Sequence, residues 1–179
     1  MLDVQNCCLV VVDIQGKLAE LMHEKEILFS NVQILIKAAK ILEIPILWCQ
    51  QCPQSLGPTV PQIAELLADC QPIDKADFSC AADHKFKTAL TAISRKQIIL
   101  TGIETHVCIY QTAADLLAEG YSVEIVADAV SFRTLPNKQI ALRRLAAQGA
   151  EITSTEMTLF QLLKTANHPK FKQIAKLIK

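Results

Sequence analysis

The sequence predicts a three-layer α/β fold, a six-stranded parallel sheet with helices on both faces. Three observations carry that prediction. Cys7 to Val12 is an unbroken apolar run, as a strand covered on both sides requires. Apolar residues then recur at helical spacing over 27–43, at Leu28, Val32, Leu35, Ile36, Ala39 and Leu42. Strand-like and helix-like segments alternate in this way nearly to the end of the chain, which favours parallel pairing.

The remaining elements follow in order. Pro45 opens a second strand at 46–48, and a turn-rich loop over 50–61 holds three prolines and Gly57. A short helix is expected at 62–68, and a third strand somewhere between 73 and 80. Helix 82–93 leads to strand 97–101, then helix 105–119 closed by Gly120. Strand 122–126 leads to helix 137–148 closed by Gly149, and to a short strand at 151–153. Both glycines stand where a helix end favours a left-handed residue. Two helices, 156–166 and 169–178, finish the chain, the second started by Pro169. Right-handed crossovers leave few layouts for such a chain. The common Rossmann-like one has strand order 3-2-1-4-5-6, with strands one and four adjacent where the winding direction switches.

The chain has 179 residues, which suits one domain over 1–179. At this size about 70% of the unfolded surface is buried on folding, so a full core is available without metals or staples. The charges balance, 18 basic against 18 acidic. A neutral balance gives no electrostatic reason to expect nucleic acid or a membrane as partner, and points to a small-molecule substrate. No apolar stretch approaches the ~20 residues that span a bilayer, and Met1 runs into the first strand without a signal-like segment. Seven cysteines at irregular positions argue against a disulfide framework and fit a reducing cytoplasm.

Ligands of open α/β sheets bind beyond the strand ends at the winding switch. Strand one ends in Asp13-Ile14-Gln15-Gly16, and strand four in Gly102-Ile103-Glu104-Thr105-His106-Val107-Cys108. Cys108 would lie in the first turn of its helix, where free N–H groups and the helix dipole favour a thiolate and lower its pKa. A carboxylate facing it from the adjacent strand would serve as base. Read alone, each residue also has an ordinary role: a core thiol, a turn aspartate, a solvated lysine at 75.

Three segments together resemble the isochorismatase-like cysteine hydrolases, a superfamily that includes nicotinamidases. They are VVDIQ (11–15), the lysine within PIDKADFSC (72–80), and LTGIETHVCIYQTAADLLAEGY (100–121). The likeness continues through EIVADAVSFR (124–133) and ITSTEMTLFQLL (152–163). It implies a catalytic triad of Asp13, Lys75 and Cys108, the same six-stranded fold and a homo-oligomer. In the implied mechanism Asp13 accepts the thiol proton, Lys75 lowers the thiol pKa, and Cys108 attacks a small carbonyl compound, an amide by preference. The backbone N–H groups of Glu104 and Cys108 would form the oxyanion hole, with the Ile103–Glu104 peptide cis.

The chain departs from its nicotinamidase relatives. Their metal site uses an Asp-x-His pair after strand two, where this chain reads Cys49-Gln50-Gln51-Cys52, and no histidine falls between His23 and His84. No metal and no cofactor is therefore expected, and nicotinamide loses its usual anchor. Isochorismatases proper cleave vinyl ethers without a cysteine nucleophile, so Cys108 points away from them also.

Other features are weaker. The lone Cys49-x-x-Cys52 spacing has no second pair to complete a zinc site. His106 precedes Cys108 by two residues, about 200° around a helix, and so is no natural partner. The five glycines contain no G-x-G, which excludes a dinucleotide loop. Gln15, Trp48, Phe78 and Tyr110 are candidates for the pocket, each with core packing or capping as the competing role. Arg133 reads best as the partner of a surface carboxylate. Three rivals stand beside the hydrolase: a scaffold that keeps a relic site, a vinyl-ether hydrolase, and a thiol redox sensor.

Overall fold

The computed structural model describes residues 1–179 and has a six-stranded, all-parallel sheet of order β3-β2-β1-β4-β5-β6. Its strands are β1 (Cys7–Val12), β2 (Ile46–Gln51), β3 (Pro72–Lys75), β4 (Gln97–Gly102), β5 (Ser122–Val130) and β6 (Glu151–Thr153). Nine helices connect and flank them: α1 (Gly16–Glu20), α2 (Lys25–Ile41), α3 (Pro53–Leu56), α4 (Pro61–Ala64), α5 (His84–Ile93), α6 (Tyr110–Ala118), α7 (Leu135–Ala147), α8 (Thr155–Leu163) and α9 (Phe171–Ala175).

β1 is buried along its whole length because it has a strand on either side and a core on either face. Alternation sends Leu9 and Val11 into a cluster of 28 buried residues with α2 and α8, and Cys8, Val10 and Val12 into one of 20 with α5 and α6. Cys108 belongs to the second cluster, so the chemistry expected of the chain is confined to one face of the sheet.

Several expected boundaries moved, each for a local reason. β2 runs on to Gln51, taking Gln50 and Gln51 out of the expected loop. That loop holds α3 and leads into α4, each with a proline in its first turn. β3 is confined to Pro72–Lys75. α5 begins at His84 because the Asp83 side chain caps it, accepting from Lys85 and Phe86 N–H. α8 is set by its Ser154 cap and stops before Lys164, which is left-handed. β5 extends to Val130 across an irregularity in its pairing with β4. The last helix starts at Phe171, since a turn from Phe171 N–H to the His168 carbonyl occupies the residues around Pro169.

The most consequential change is at the start of the expected helix 105–119. Thr105–Ile109 forms a wide π-helical turn before α6, with the Ile109 N–H reaching back to the Glu104 carbonyl at 3.3 Å. Just before it, Gly102 lies so close to β1 that a Cβ would stand 2.0 Å from the Val12 carbonyl oxygen.

Candidate active site

Asp13, Lys75 and Cys108 come from three separate strand ends and meet on one face of the sheet. Asp13 follows β1 with φ of 54°, and its N–H donates to the Cys49 carbonyl, which anchors it to β2. Lys75 ends β3, two strands away, and its side chain crosses the end of β2 to reach Asp13. The Nζ–Oδ2 distance is 2.8 Å, and both groups are buried.

Gln51, at the end of β2, fills the gap between them. Its Oε1 accepts from Lys75 Nζ at 2.6 Å while its Nε2 donates to the Ala76 carbonyl at 2.7 Å. The Asp77 and Phe78 carbonyls accept from the same ammonium at 3.2 and 3.4 Å. Gln15, fully buried, holds Gln51 in turn: its Oε1 accepts from Gln51 N–H at 2.6 Å, and its Nε2 donates to the Gln51 and Gly57 carbonyls. Both ends of Gln15 are thus used within the protein, and it braces the site from behind.

The charges follow from burial and neighbours. Burial raises the Asp13 carboxyl above its ordinary range, against the opposing charge and hydrogen bond of Lys75. Burial alone would lower Lys75, but the charge and hydrogen bond of its partner Asp13 oppose this, and the Lys75 pKa lies above its ordinary value. Burial pushes the Cys108 thiol well up, and the charge of Asp13 adds to this more than Lys75 removes. The expected lowering of the Cys108 pKa is therefore corrected: an apolar setting and a facing carboxylate override the helix start. The resting site is a neutral thiol beside a buried ion pair. Cys108 helps to hold the Asp13 carboxylate down, yet its sulfur falls short of full hydrogen-bond geometry, and the buried Oδ1 is left without a partner.

The Ile103–Glu104 peptide is cis, and the Glu104 N–H makes no hydrogen bond within the protein. Arg133 pairs with a carboxylate, but with the buried Glu104 and not with the surface carboxylate its sequence context suggested.

The expected pocket residues separate. Trp48 lies on the opposite face of the sheet, in the α2 core, with its indole N–H donating to Thr59 Oγ1 at 2.9 Å. Tyr110 turns toward α7: Arg144 stacks on its ring at 4.9 Å, and its hydroxyl accepts from Gln148. The Phe78 ring is exposed, and only its carbonyl meets Lys75. Cys49 is buried and Cys52 lies nearer the surface, both as free thiols. His106 leaves a buried Nδ1 without a partner. A cavity of about 330 Å³, walled by His23, Ile27, Phe132 and Lys138 among others, includes none of the three catalytic candidates.

Sequence reasoning missed Gln51 and Cys80, a buried thiol in the same cluster as Cys108. Gln51 carried one signal, since a polar residue following an apolar strand often faces the ligand end of such a sheet.

Comparison with known proteins bears on this arrangement. The isochorismatase domain family matches residues 7–157. A secreted isochorismatase effector, Isc1 of Phytophthora sojae, is 39% identical over 175 residues, covering 96% of this chain and 83% of its own. The structure of the MAR1 ribonuclease of Caenorhabditis elegans superposes with a TM-score of 0.93 at 38% identity, covering 99% of this chain and 91% of that one. The Escherichia coli ycaC product, described as an octameric hydrolase of unknown specificity, shares the fold at a TM-score of 0.93 and 24% identity, over 99% of this chain and 88% of its own.

Proposed function

The chain belongs to the isochorismatase family of hydrolases, and on that premise we propose that it cleaves a small carbonyl compound, an amide by preference, through a Cys108 thioester. The observation that carries the proposal is the buried Asp13–Lys75 ion pair set beside the Cys108 thiol.

The resting charge state fixes the order of events. A thiol whose pKa is raised does not ionise by itself, so the carboxylate must take its proton as the sulfur attacks. Oδ1 of Asp13, which has no partner, is the oxygen free to do so. Lys75 stays charged throughout and holds Oδ2 in place. Attack forms a C–S bond and moves the carbonyl π electrons onto oxygen, where the Glu104 and Cys108 N–H groups receive the charge. Collapse of the intermediate expels the amine, which takes the proton from Asp13. Water, deprotonated by the same carboxylate, then hydrolyses the thioester and frees the thiol.

The oligomer and the cytoplasmic setting are part of the same proposal. Exposed Leu21, Leu135, Ile140 and Met157 support self-association, and seven free cysteines support a reducing compartment. No helix is long and apolar enough to cross a membrane. An RNA substrate is the alternative that the C. elegans relative's name raises. A formal net charge of zero gives little grip on a phosphate backbone, which favours the amide.

The test is an amide library with RNA as a separate arm, and mass-spectrometric trapping of the thioester. Turnover of an amide with acylation at Cys108, abolished in Cys108→Ala, is the expected result. Full turnover in Cys108→Ala, or cleavage of RNA alone, would overturn the proposal.

A further inference from the structure

Arg133 stands outside the Asp13–Lys75–Cys108 group but grips the residue that shapes its rim. Its guanidinium meets the Glu104 carboxylate as a fork, Nε to Oε1 at 2.9 Å and Nη2 to Oε2 at 3.3 Å. The Arg133 side chain is 56% exposed and that of Glu104 only 9%. Such a half-exposed pair adds little to stability. What a two-bond fork supplies is orientation.

The neighbouring bonds show what is being oriented. The Ser131 carbonyl accepts from both the N–H and the hydroxyl of Thr105, at 2.9 and 2.8 Å. The Ser131 N–H donates to the Gly102 carbonyl, and the Ile103 N–H to the Val12 carbonyl. The Glu104 carbonyl accepts from Val107 and Ile109. Of the N–H groups from Ile103 to Thr105, only that of Glu104 has no acceptor within the protein. The segment 131–133 holds the stretch from its outer side, and Arg133 is the bond set that acts on Glu104 itself.

We infer that Arg133 is a positioning residue for catalysis: by clamping the Glu104 carboxylate it fixes the Glu104 N–H as an oxyanion donor to the acyl group on Cys108. The inference rests on the cysteine-hydrolase reading above. Preorganisation is what gives such a donor its effect, because a peptide that reorients during the reaction stabilises the developing charge less. Arg133 touches no substrate in this scheme. Its loss weakens transition-state binding and leaves ground-state binding as it was.

The experiment uses the intact chain and 4-nitrophenyl acetate as an acyl probe. Removing one oxyanion donor costs about 100-fold or more in kcat, so loosening it through Arg133→Ala is expected to cost about 10-fold, with KM changed by less than about two-fold. Glu104→Gln should behave alike, and the double variant should be no worse than either single one, because both break the same pair. Arg133→Lys should recover part of the activity, and exchange of the two charges, Arg133→Glu with Glu104→Arg, should recover more than either single reversal. The urea midpoint should not move in Arg133→Lys or Glu104→Gln, which separates positioning from a folding defect. An unchanged kcat in Arg133→Ala, or a raised KM at constant kcat, would overturn the inference. Loss of the hydrolase reading shows itself separately, as undiminished turnover in Cys108→Ala.

Discussion

Replacing Lys75 with methionine removes one charge from a buried pair and leaves the shape nearly intact. Asp13 then faces a choice with a calculable ceiling. Leaving the carboxylate charged and unpaired in the interior costs about 3–5 kcal/mol. The carboxyl escapes by binding a proton, and holding a group of ordinary pKa about 3.9 neutral at pH 7 costs about 4 kcal/mol, at about 1.4 kcal/mol per pH unit. The loss at pH 7 is therefore expected at about 3–4 kcal/mol. Asp13 already has its pKa raised by burial, and without the opposing charge and hydrogen bond of Lys75 it rises further. An acid titrating higher in the folded than in the unfolded state gives stability that is full below the unfolded value and lost as pH rises toward the folded one. Relative to wild type, the variant should thus recover up to about 2.7 kcal/mol between pH 7 and pH 5. Urea unfolding of both proteins across that window measures the difference directly, since other titrations cancel. Asp13→Asn added to Lys75→Met should flatten the dependence. A loss of equal size at pH 5 and pH 7 would refute the account of a buried, mutually dependent pair.

Two further predictions concern the same face. In Asp13→Asn burial still raises the Cys108 thiol but the charge that adds to it is gone, so alkylation of Cys108 by iodoacetamide at pH 8 should speed up, read by peptide mapping, while ester turnover falls about 100-fold or more for want of a base; alkylation and turnover slowing together would contradict this. Gly102→Ala should lose about 2–4 kcal/mol by urea unfolding, because its Cβ would meet the Val12 carbonyl at 2.0 Å, whereas Gly120→Ala, with nothing within 4 Å, should lose only about 1 kcal/mol from backbone strain; equal losses would show that the close approach does not matter.

The sheet was legible because its central strands have no choice. Cys7–Val12 is apolar throughout and Ile98–Leu100 form an apolar centre in β4, and only a position between neighbours and under helices suits them. The meeting of Asp13 with Cys108 followed from strand order alone. Lys75 was different: β3 has only four residues and two of them are exposed, so no periodicity marked it, and resemblance had to place it. Gln51 was hidden by a local signal, since the prolines that follow it read as loop while pairing with β3 keeps it in the strand. Trp48 was assigned by proximity along the chain, but its face of the sheet depends on a single step of alternation that 46–48 was too short to fix. The raised thiol pKa of Cys108 depends on burial in three dimensions, which a helix start cannot report.

The two buried clusters on either side of the sheet have a consequence for how this protein tolerates change. Leu9, Trp48 and Ile99 share one room with α2 and α8, while Cys8, Cys49, Leu100 and Cys108 share the other. The strands between them form a partition only one backbone thick, which keeps the two sets of side chains in separate clusters. Substitutions on opposite sides that share no neighbour should add in free energy. Most of the α2 room is thus free ground for drift or for engineered stability; the exceptions are Ile14 and Ile103, which belong to it and adjoin Asp13 and Glu104 in the chain.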